Sequence, residues 1–439
     1  MASFKGFRGP AIPALLNPAG VTLIIRSFVT QTGTRIGDLG FAKRRIVMRV
    51  FMLSWEYPPR IIGGLARHVE GLSSALASSG NEVHVITLDF PGAPYEEREG
   101  SLYVHRVPVS VPAPTFHSWV LLFNHFFEKR AGQLAHEFGA PDMLHIHDWL
   151  TVPAGVASKH LLRAPLVMTF HSTEASRSSN SPSTESAMVE GLEWWGSFEA
   201  ARVIAVSGWM RAEVLSSFKL PEDKVEQIPN AVEPLKFEGP IDAKAARARW
   251  NVTEGQKMIT AVGRLTSQKG FDDLIRAYPA IRRAVPESRL VIIGDGHMRA
   301  ELETIAEQEN VRENTIFAGF ISDGELVSAL RSSDVVVVPS RFEPFGIIAL
   351  EGMAARVPLV VSRVGGLAEI VEDSVDGIEV EPNNPSAIAA ATIKILSDRE
   401  LASRLVARGE EKAKSYSWGN VAKKTLGVYQ DAAKVTKFE

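Results

Sequence analysis

Asp334-Val335-Val336-Val337-Val338-Pro339-Ser340-Arg341-Phe342-Glu343-Pro344-Phe345-Gly346-Ile347-Ile348-Ala349-Leu350-Glu351-Gly352-Met353 is the stretch that decides how this 439-residue chain folds. Four valines without polar alternation describe a strand buried on both faces, as in parallel sheets. Ile347, Leu350 and Met353 then recur at helical spacing. A strand over Asp334 to Pro339 thus passes through a short polar turn into a helix starting near Gly346. Glu343 and Glu351 stand eight residues apart, and Glu343 precedes the helix. The pair can therefore straddle a ligand over the helix N-terminus, where unpaired N–H groups favour phosphate. Alone, two glutamates are as well explained by a cap and a solvated side chain.

Three further segments give the pair a context. Arg60-Ile61-Ile62-Gly63-Gly64 follows the first strong strand, Gly263-Arg264 with Lys269-Gly270 follows Met258 to Val262, and Val364-Gly365-Gly366 follows Pro358 to Ser362. Each puts glycine, or glycine and a cation, beyond the carboxyl end of a strand, where open α/β sheets bind ligands. Together they predict one diphosphate site. Arg264 offers a planar fork and Lys269 a compact charge to a leaving phosphate. Backbone N–H groups around Gly63, Gly64, Gly365 and Gly366 are expected to approach the same group. No Asp-x-Asp occurs, so no metal carrier is expected. His145 and His147 alternate on a strand end, but no third ligand is evident to complete a metal site.

Outward from these motifs the chain alternates strand and helix in two blocks. The first runs from Val50-Phe51-Met52-Leu53-Ser54 to Val203-Ser207, the second from Lys257 to Pro358-Ser362, with the polar stretch Glu238 to Gly255 between them. The length exceeds what one core usually serves. The expected organisation is α/β, with residues 48–240 and 241–416 each forming a Rossmann-like, doubly wound parallel sheet across a cleft from the other, and 417–439 a terminal helix. Ser118 to Phe127 reads more simply as a helix packed on the sheet than as a membrane-surface segment. The serine-rich Ser172 to Ser186 reads as a surface loop, with closure over substrate as its functional alternative.

Composition excludes several function classes. The net charge of −3 gives no general attraction to nucleic acid or anionic lipid. The absence of cysteine removes disulfides, thiolate metal sites and a cysteine nucleophile, and suits a reducing cytoplasm. No apolar run is long enough to span a membrane. Residues 1–47 carry Lys5, Arg8, Arg26, Arg35, Lys43, Arg44 and Arg45 against Asp38 alone. That composition is compatible with a transit peptide, but Met48 leads directly into the first strand, and a translated frame beginning upstream of the true start is the preferred expectation.

With Arg60 to Leu65, His145-Ile146-His147-Asp148-Trp149, His171, Gly263-Arg264, Lys269-Gly270 and Glu343-Pro344-Phe345-Gly346 to Glu351 in this order, the chain resembles the glycogen and starch synthases and related retaining glycosyltransferases of families 4 and 5, from about Arg49 to Trp418. The resemblance implies the two-domain GT-B architecture, a nucleotide-binding second domain, an acceptor-binding first domain and a last helix crossing back to the first. It implies roles too: Glu343 at the sugar hydroxyls and the developing positive charge, Glu351 on the ribose, Asp148 near the sugar or acceptor, and His171 facing the sugar. Arg264 and Lys269 lie at the diphosphate, with Arg60, Gly63, Gly64, Gly346, Gly365 and Gly366 lining the donor site. It further implies front-face transfer, in which the departing phosphate takes the acceptor's proton.

The leading expectation is a cytoplasmic enzyme that extends an α-1,4-glucan from ADP-glucose or UDP-glucose without a further cofactor, its partners being the nucleotide sugar and the α-glucan. A relative acting on a small sugar, sugar phosphate or lipid is the alternative, and an inactive nucleotide- or glycan-binding protein the second. Two departures stand out. Arg60 replaces the family's lysine, and Ala231 occupies the usual glycine of a Pro-Asn-Gly-Val turn.

Overall fold

The computed structural model describes residues 48–178 and 183–436; the expectations for residues 1–47 fall outside them. Eight strands form the first sheet: β1 (Arg49–Leu53), β2 (Glu82–Leu88), β3 (Glu96–Glu99), β4 (Leu102–Val107), β5 (Met143–His147), β6 (Leu166–Phe170), β7 (Arg202–Ala205) and β8 (Val225–Gln227). Their order is β3-β4-β2-β1-β5-β6-β7-β8, parallel except for β3. The second sheet holds β9 (Lys257–Val262), β10 (Ser288–Ile293), β11 (Thr315–Gly319), β12 (Val335–Val338), β13 (Leu359–Ser362) and β14 (Ile378–Val380), in the order β11-β10-β9-β12-β13-β14. All its pairings are parallel. This is the doubly wound order, and its direction reverses between β9 and β12 as the first sheet's reverses between β1 and β5.

The strands form as their sequences dictate. β12 is Val335-Val336-Val337-Val338, at most 4 % exposed, with helices on both sides. The antiparallel edge formed by β3 is a correction to an all-parallel reading. Its four residues Glu96-Glu97-Arg98-Glu99 are exposed, and charge on an edge strand blocks pairing with other chains, leaving no hydrophobic signature to read.

One hydrophobic cluster runs through both domains, joining Phe170, Val206 and Met210 to Phe345, Leu350 and Leu367. The polar seam follows it. Ser207 caps the helix Gly208–Phe218 by accepting from the Met210 N–H and donates its own O–H to the Pro344 carbonyl at 2.7 Å. The Glu369 carboxylate accepts from the N–H groups of Gly208 and Trp209 at that helix's start. A carboxylate there also meets the positive end of the helix dipole. The last helix, Trp418–Val435, buries Val421, Val428 and Tyr429 among Val50, Val69 and Val83 of the first domain. Gly71 leaves the space its Trp418 ring occupies: a Cβ there would lie 2.1 Å from the indole.

Candidate active site

The loops after β9 and β12 meet at the point where the second sheet reverses. Lys269 Nζ donates to Glu343 Oε2 at 2.6 Å, and Ser340 Oγ donates to the same oxygen at 3.1 Å. Gly270 makes this approach possible. Its φ is +62°, and a Cβ would stand 2.1 Å from the Pro339 carbonyl oxygen, so only glycine lets the loop lie against the end of β12. The Glu343 backbone is held from the other side by the loop after β13. Gly366 N–H donates to the Glu343 carbonyl at 2.9 Å, and a Cβ on Gly365, at φ +47°, would meet that oxygen at 2.2 Å. This revises the expected role of the pair: Gly365 and Gly366 seat Glu343, and the Gly366 N–H is already committed. Gly346 precedes the helix Ile347–Ala354 with φ 104°.

Arg264 is exposed, and its side chain has no hydrogen-bond or ion-pair partner among the described residues. It faces the first domain, since a Cβ on Gly63 would lie 4.0 Å from its Nε. Gly64 is as close to the second domain, 3.2 Å from Ile347 Cδ1 by the same measure. The N-termini of Gly64–Ser78 and Ile347–Ala354 therefore come together across the gap beside an unpaired guanidinium, which is an anion-binding arrangement.

From the first domain, Asp148 stands where β5 ends. Its φ of 55° and ψ of 177° belong to backbone space that glycine ordinarily occupies, a strain worth about 1–3 kcal/mol. In that conformation Asp148 Oδ1 accepts from the N–H of His171 at 2.7 Å and of Ser172 at 3.4 Å. Burial pushes its pKa up to about 6, against the pull of the Arg177 charge and of those two N–H groups. Burial also drives the His171 imidazole down to about 3, so that ring is neutral.

Three supporting groups gave no sequence signal. Glu56, 4 % exposed, accepts from Ile62 N–H at 2.8 Å and Gly63 N–H at 2.9 Å. It fixes the glycine loop, but it also takes the Gly63 N–H that the sequence offered to a diphosphate. Glu193, pushed by burial up to about 8, accepts from the Glu174 N–H and from Arg177 at 2.9 Å. Arg177 in turn reaches the Ser172 hydroxyl, and its carbonyl accepts from Gln268 Nε2 of the second domain at 3.1 Å. Residues 172–178 of the serine-rich segment are thus a clamped turn carrying the short helix Glu174–Arg177, and Ser183 caps the helix Thr184–Glu199.

Glu351 is half-buried in the helix after Gly346. Burial raises its pKa to about 7, opposed by the charge of Arg67 and reinforced by Asp323. Arg67 of the first domain forks onto the Asp323 carboxylate of the second, so Glu351 lies beside an ion pair that spans the domains.

His145 and His147 lie side by side, ring centroids 4.3 Å apart, but hydrogen-bond to different partners. His145 is satisfied by Tyr429 Oη at 2.8 Å and Thr169 Oγ1 at 2.7 Å. His147 instead meets His171, Nδ1 to Nε2 at 3.2 Å, and His68 joins them, the nitrogens lying within 4.8 Å of one another in a group able to hold a metal ion. His68 Nδ1 is tied to Asn230 Oδ1 at 2.6 Å. The third histidine was missed because His68 lies on a helix face of Gly64–Ser78 with no spacing relation to the other two.

Two sheets of this order, facing each other over a cationic, glycine-lined gap, define a glycosyltransferase of the GT-B kind. Residues 62–234 match the family model of Glycosyltransferase Family 4, and residues 242–412 that of Glycosyl transferases group 1. The chain belongs to this glycosyltransferase family and is a hexosyltransferase. It is 42 % identical over 390 residues to an uncharacterized glycosyltransferase of Methanocaldococcus jannaschii, covering 88 % of this chain and 98 % of the relative. It is 34 % identical to a glycogen synthase of Mycobacterium tuberculosis, over 87 % of this chain and 94 % of that one. Among solved structures, the catalytic domain of starch synthase IV from Arabidopsis thaliana, bound to ADP and acarbose, superimposes with a TM-score of 0.71 at 18 % identity, over 88 % of this chain and 100 % of that one.

Proposed function

We propose that this protein is a retaining glucosyltransferase that extends an α-1,4-glucan from ADP-glucose or UDP-glucose. The observation that carries the reading is the approach of the Gly63-Gly64 loop to Arg264 and to the start of the helix Ile347–Ala354, in the domain that pairs Lys269 with Glu343. Arg264 and Lys269 take the charge that grows on the leaving diphosphate. Glu343 steadies positive charge on the sugar, Glu351 holds the ribose, and Asp148 and His171 orient hydroxyls. The departing phosphate oxygen removes the acceptor proton, so no separate base is required. Likeness to a glycogen synthase along nearly its whole length supports the glucan acceptor. Incubation with a panel of nucleotide sugars and maltooligosaccharides, with products weighed, tests this directly: no hexose addition to any maltooligosaccharide sinks the glucan reading.

Catalysis is expected to survive EDTA and phenanthroline, because the diphosphate is neutralised by Arg264 and Lys269. Activity lost to chelator and restored by a divalent metal would bring His68, His147 and His171 into the reaction.

Asp148→Asn is expected to lower turnover by about a hundredfold at pH 8 without lowering the melting temperature. The wild-type carboxyl titrates near 6 in the folded protein, above its ordinary 3.8. Between those values the folded chain keeps a proton the unfolded chain has lost, so raising pH through that window removes stability. The asparagine retains the acceptor oxygen for His171 N–H and escapes that penalty. Turnover of the wild type should also fall below about pH 6. A variant that unfolds, or one that works normally, contradicts the assignment.

A further inference from the structure

Arg60 directly precedes the glycine loop in sequence, but its side chain keeps different company. The guanidinium carbon lies 5.7 Å from the Trp55 ring centroid and 5.9 Å from that of Trp119. Its Nε is buried with no hydrogen-bond partner, and no carboxylate comes within ion-pair distance of it among the described residues. The acids whose charge it feels, Glu56 and Asp89, both belong to the first domain, and Glu56 is already bonded to Ile62 and Gly63. Two aromatic faces attract a cation, yet they accept none of its directed N–H bonds, and a half-buried guanidinium without an acceptor is costly. The aromatic surface around it continues to the catalytic carboxylate. Phe116 touches Trp55, Trp119 and Trp149 at centroid distances of 6.5, 5.9 and 6.3 Å, and Trp149 directly follows Asp148.

We infer that Arg60 anchors an anion subsite on the acceptor side of the cleft, where it holds the phosphate or carboxylate of a charged sugar while Trp55, Phe116 and Trp119 pack against the sugar ring. The inference rests on the glycosyltransferase reading and narrows its acceptor. A guanidinium fork matches either oxyanion through paired N–H bonds, and the acids whose charge Arg60 feels, Glu56 and Asp89, are both of the first domain. The long aromatic side chains make a wall that a flat sugar face can cover.

Two measurements on the full chain test it. With donor absent, tryptophan fluorescence is titrated with glucose, glucose 1-phosphate, glucose 6-phosphate and glucuronate. The anionic sugars should give a saturable change that glucose does not, and Arg60→Gln should abolish it. Phosphate esters acting while glucuronate is silent would identify phosphate as the ligand group, and the reverse a carboxylate. No difference between charged and neutral sugars overturns the subsite. In the transfer assay, the ratio of kcat/KM for maltose 1-phosphate over maltose should be about ten- to a hundredfold in favour of the phosphate, the worth of a charge-assisted hydrogen bond. Arg60→Gln should collapse that ratio toward one, and Arg60→Lys should restore part of it. An Arg60→Gln protein whose donor KM rises while the acceptor ratio holds would return Arg60 to the donor site. If neither acceptor receives hexose, the glucan reading fails while the fluorescence titration still decides the subsite.

Discussion

Arg264→Ala is expected to lower turnover by about a hundredfold or more, with thermal stability close to that of the wild type. The guanidinium is exposed and has no hydrogen-bond or ion-pair partner among the described residues, and exposed substitutions of that kind usually change stability by about 0.5 kcal/mol or less. Its worth arises only when charge grows on the leaving phosphate, and losing one such donor from an oxyanion site costs about a hundred- to a thousandfold. Lys269→Ala differs in kind. It leaves Glu343, 7 % exposed, with Ser340 as its remaining side-chain partner, so a loss of stability should accompany the loss of rate. Stopped-flow or product assays beside calorimetry separate the two. Equal falls in melting temperature for both variants, or an Arg264→Ala enzyme within a few-fold of wild type, would show that the phosphate is neutralised elsewhere.

What the sequence made legible was the part built from local pattern. The valine run of β12, the helical spacing of Ile347, Leu350 and Met353, and the glycines at strand ends follow from rules that act over a few residues, and they placed Glu343, Lys269 and Arg264 together. The meaning of individual glycines was not legible. Gly365 and Gly366 look like a phosphate cradle, but their backbone is pressed against Glu343 and Phe345, a contact between loops about twenty residues apart that no local rule reveals. Glu56 and Glu193 were invisible for a related reason: a buried carboxylate on a loop or a helix resembles a solvated one until its N–H partners, supplied by distant backbone, are known. The edge strand β3 was unreadable because its solubility device is the replacement of apolar residues by charge.

The same long-range logic bears on Arg60. Its number in the chain puts it four residues before Gly64, on the loop that faces Arg264, whereas its side chain turns toward Trp55 and Trp119. Proximity along the loop suggests the donor, whereas the direction of the side chain is what the proposed acceptor subsite rests on. A planar guanidinium stacks on such aromatic faces in a way an ammonium does not.

Glu343→Gln is expected to lower kcat by about a hundredfold while donor KM changes little, which is the signature of an interaction made only in the transition state. The amide keeps the volume of the carboxylate, and its oxygen still accepts from Lys269 Nζ and Ser340 Oγ, so the loop after β12 should hold its shape. What disappears is the negative charge that opposes positive charge on the sugar carbon. A second effect follows from the 2.6 Å pairing of Lys269 with Glu343. With the carboxylate neutralised, Lys269 loses an ionic partner and becomes freer to engage phosphate, so nucleoside diphosphate should bind the variant at least as tightly as it binds the wild type. Slower turnover together with undiminished or tighter product binding separates this mechanism from simple damage to the site. A retaining enzyme working by double displacement would instead need a carboxylate against the anomeric carbon, and its replacement would abolish transfer and trap no glycosyl intermediate. A nearly silent Glu343→Gln, coupled with an essential carboxylate at Asp148 that can be labelled by a slow substrate, would move the reaction from the front face to that second mechanism.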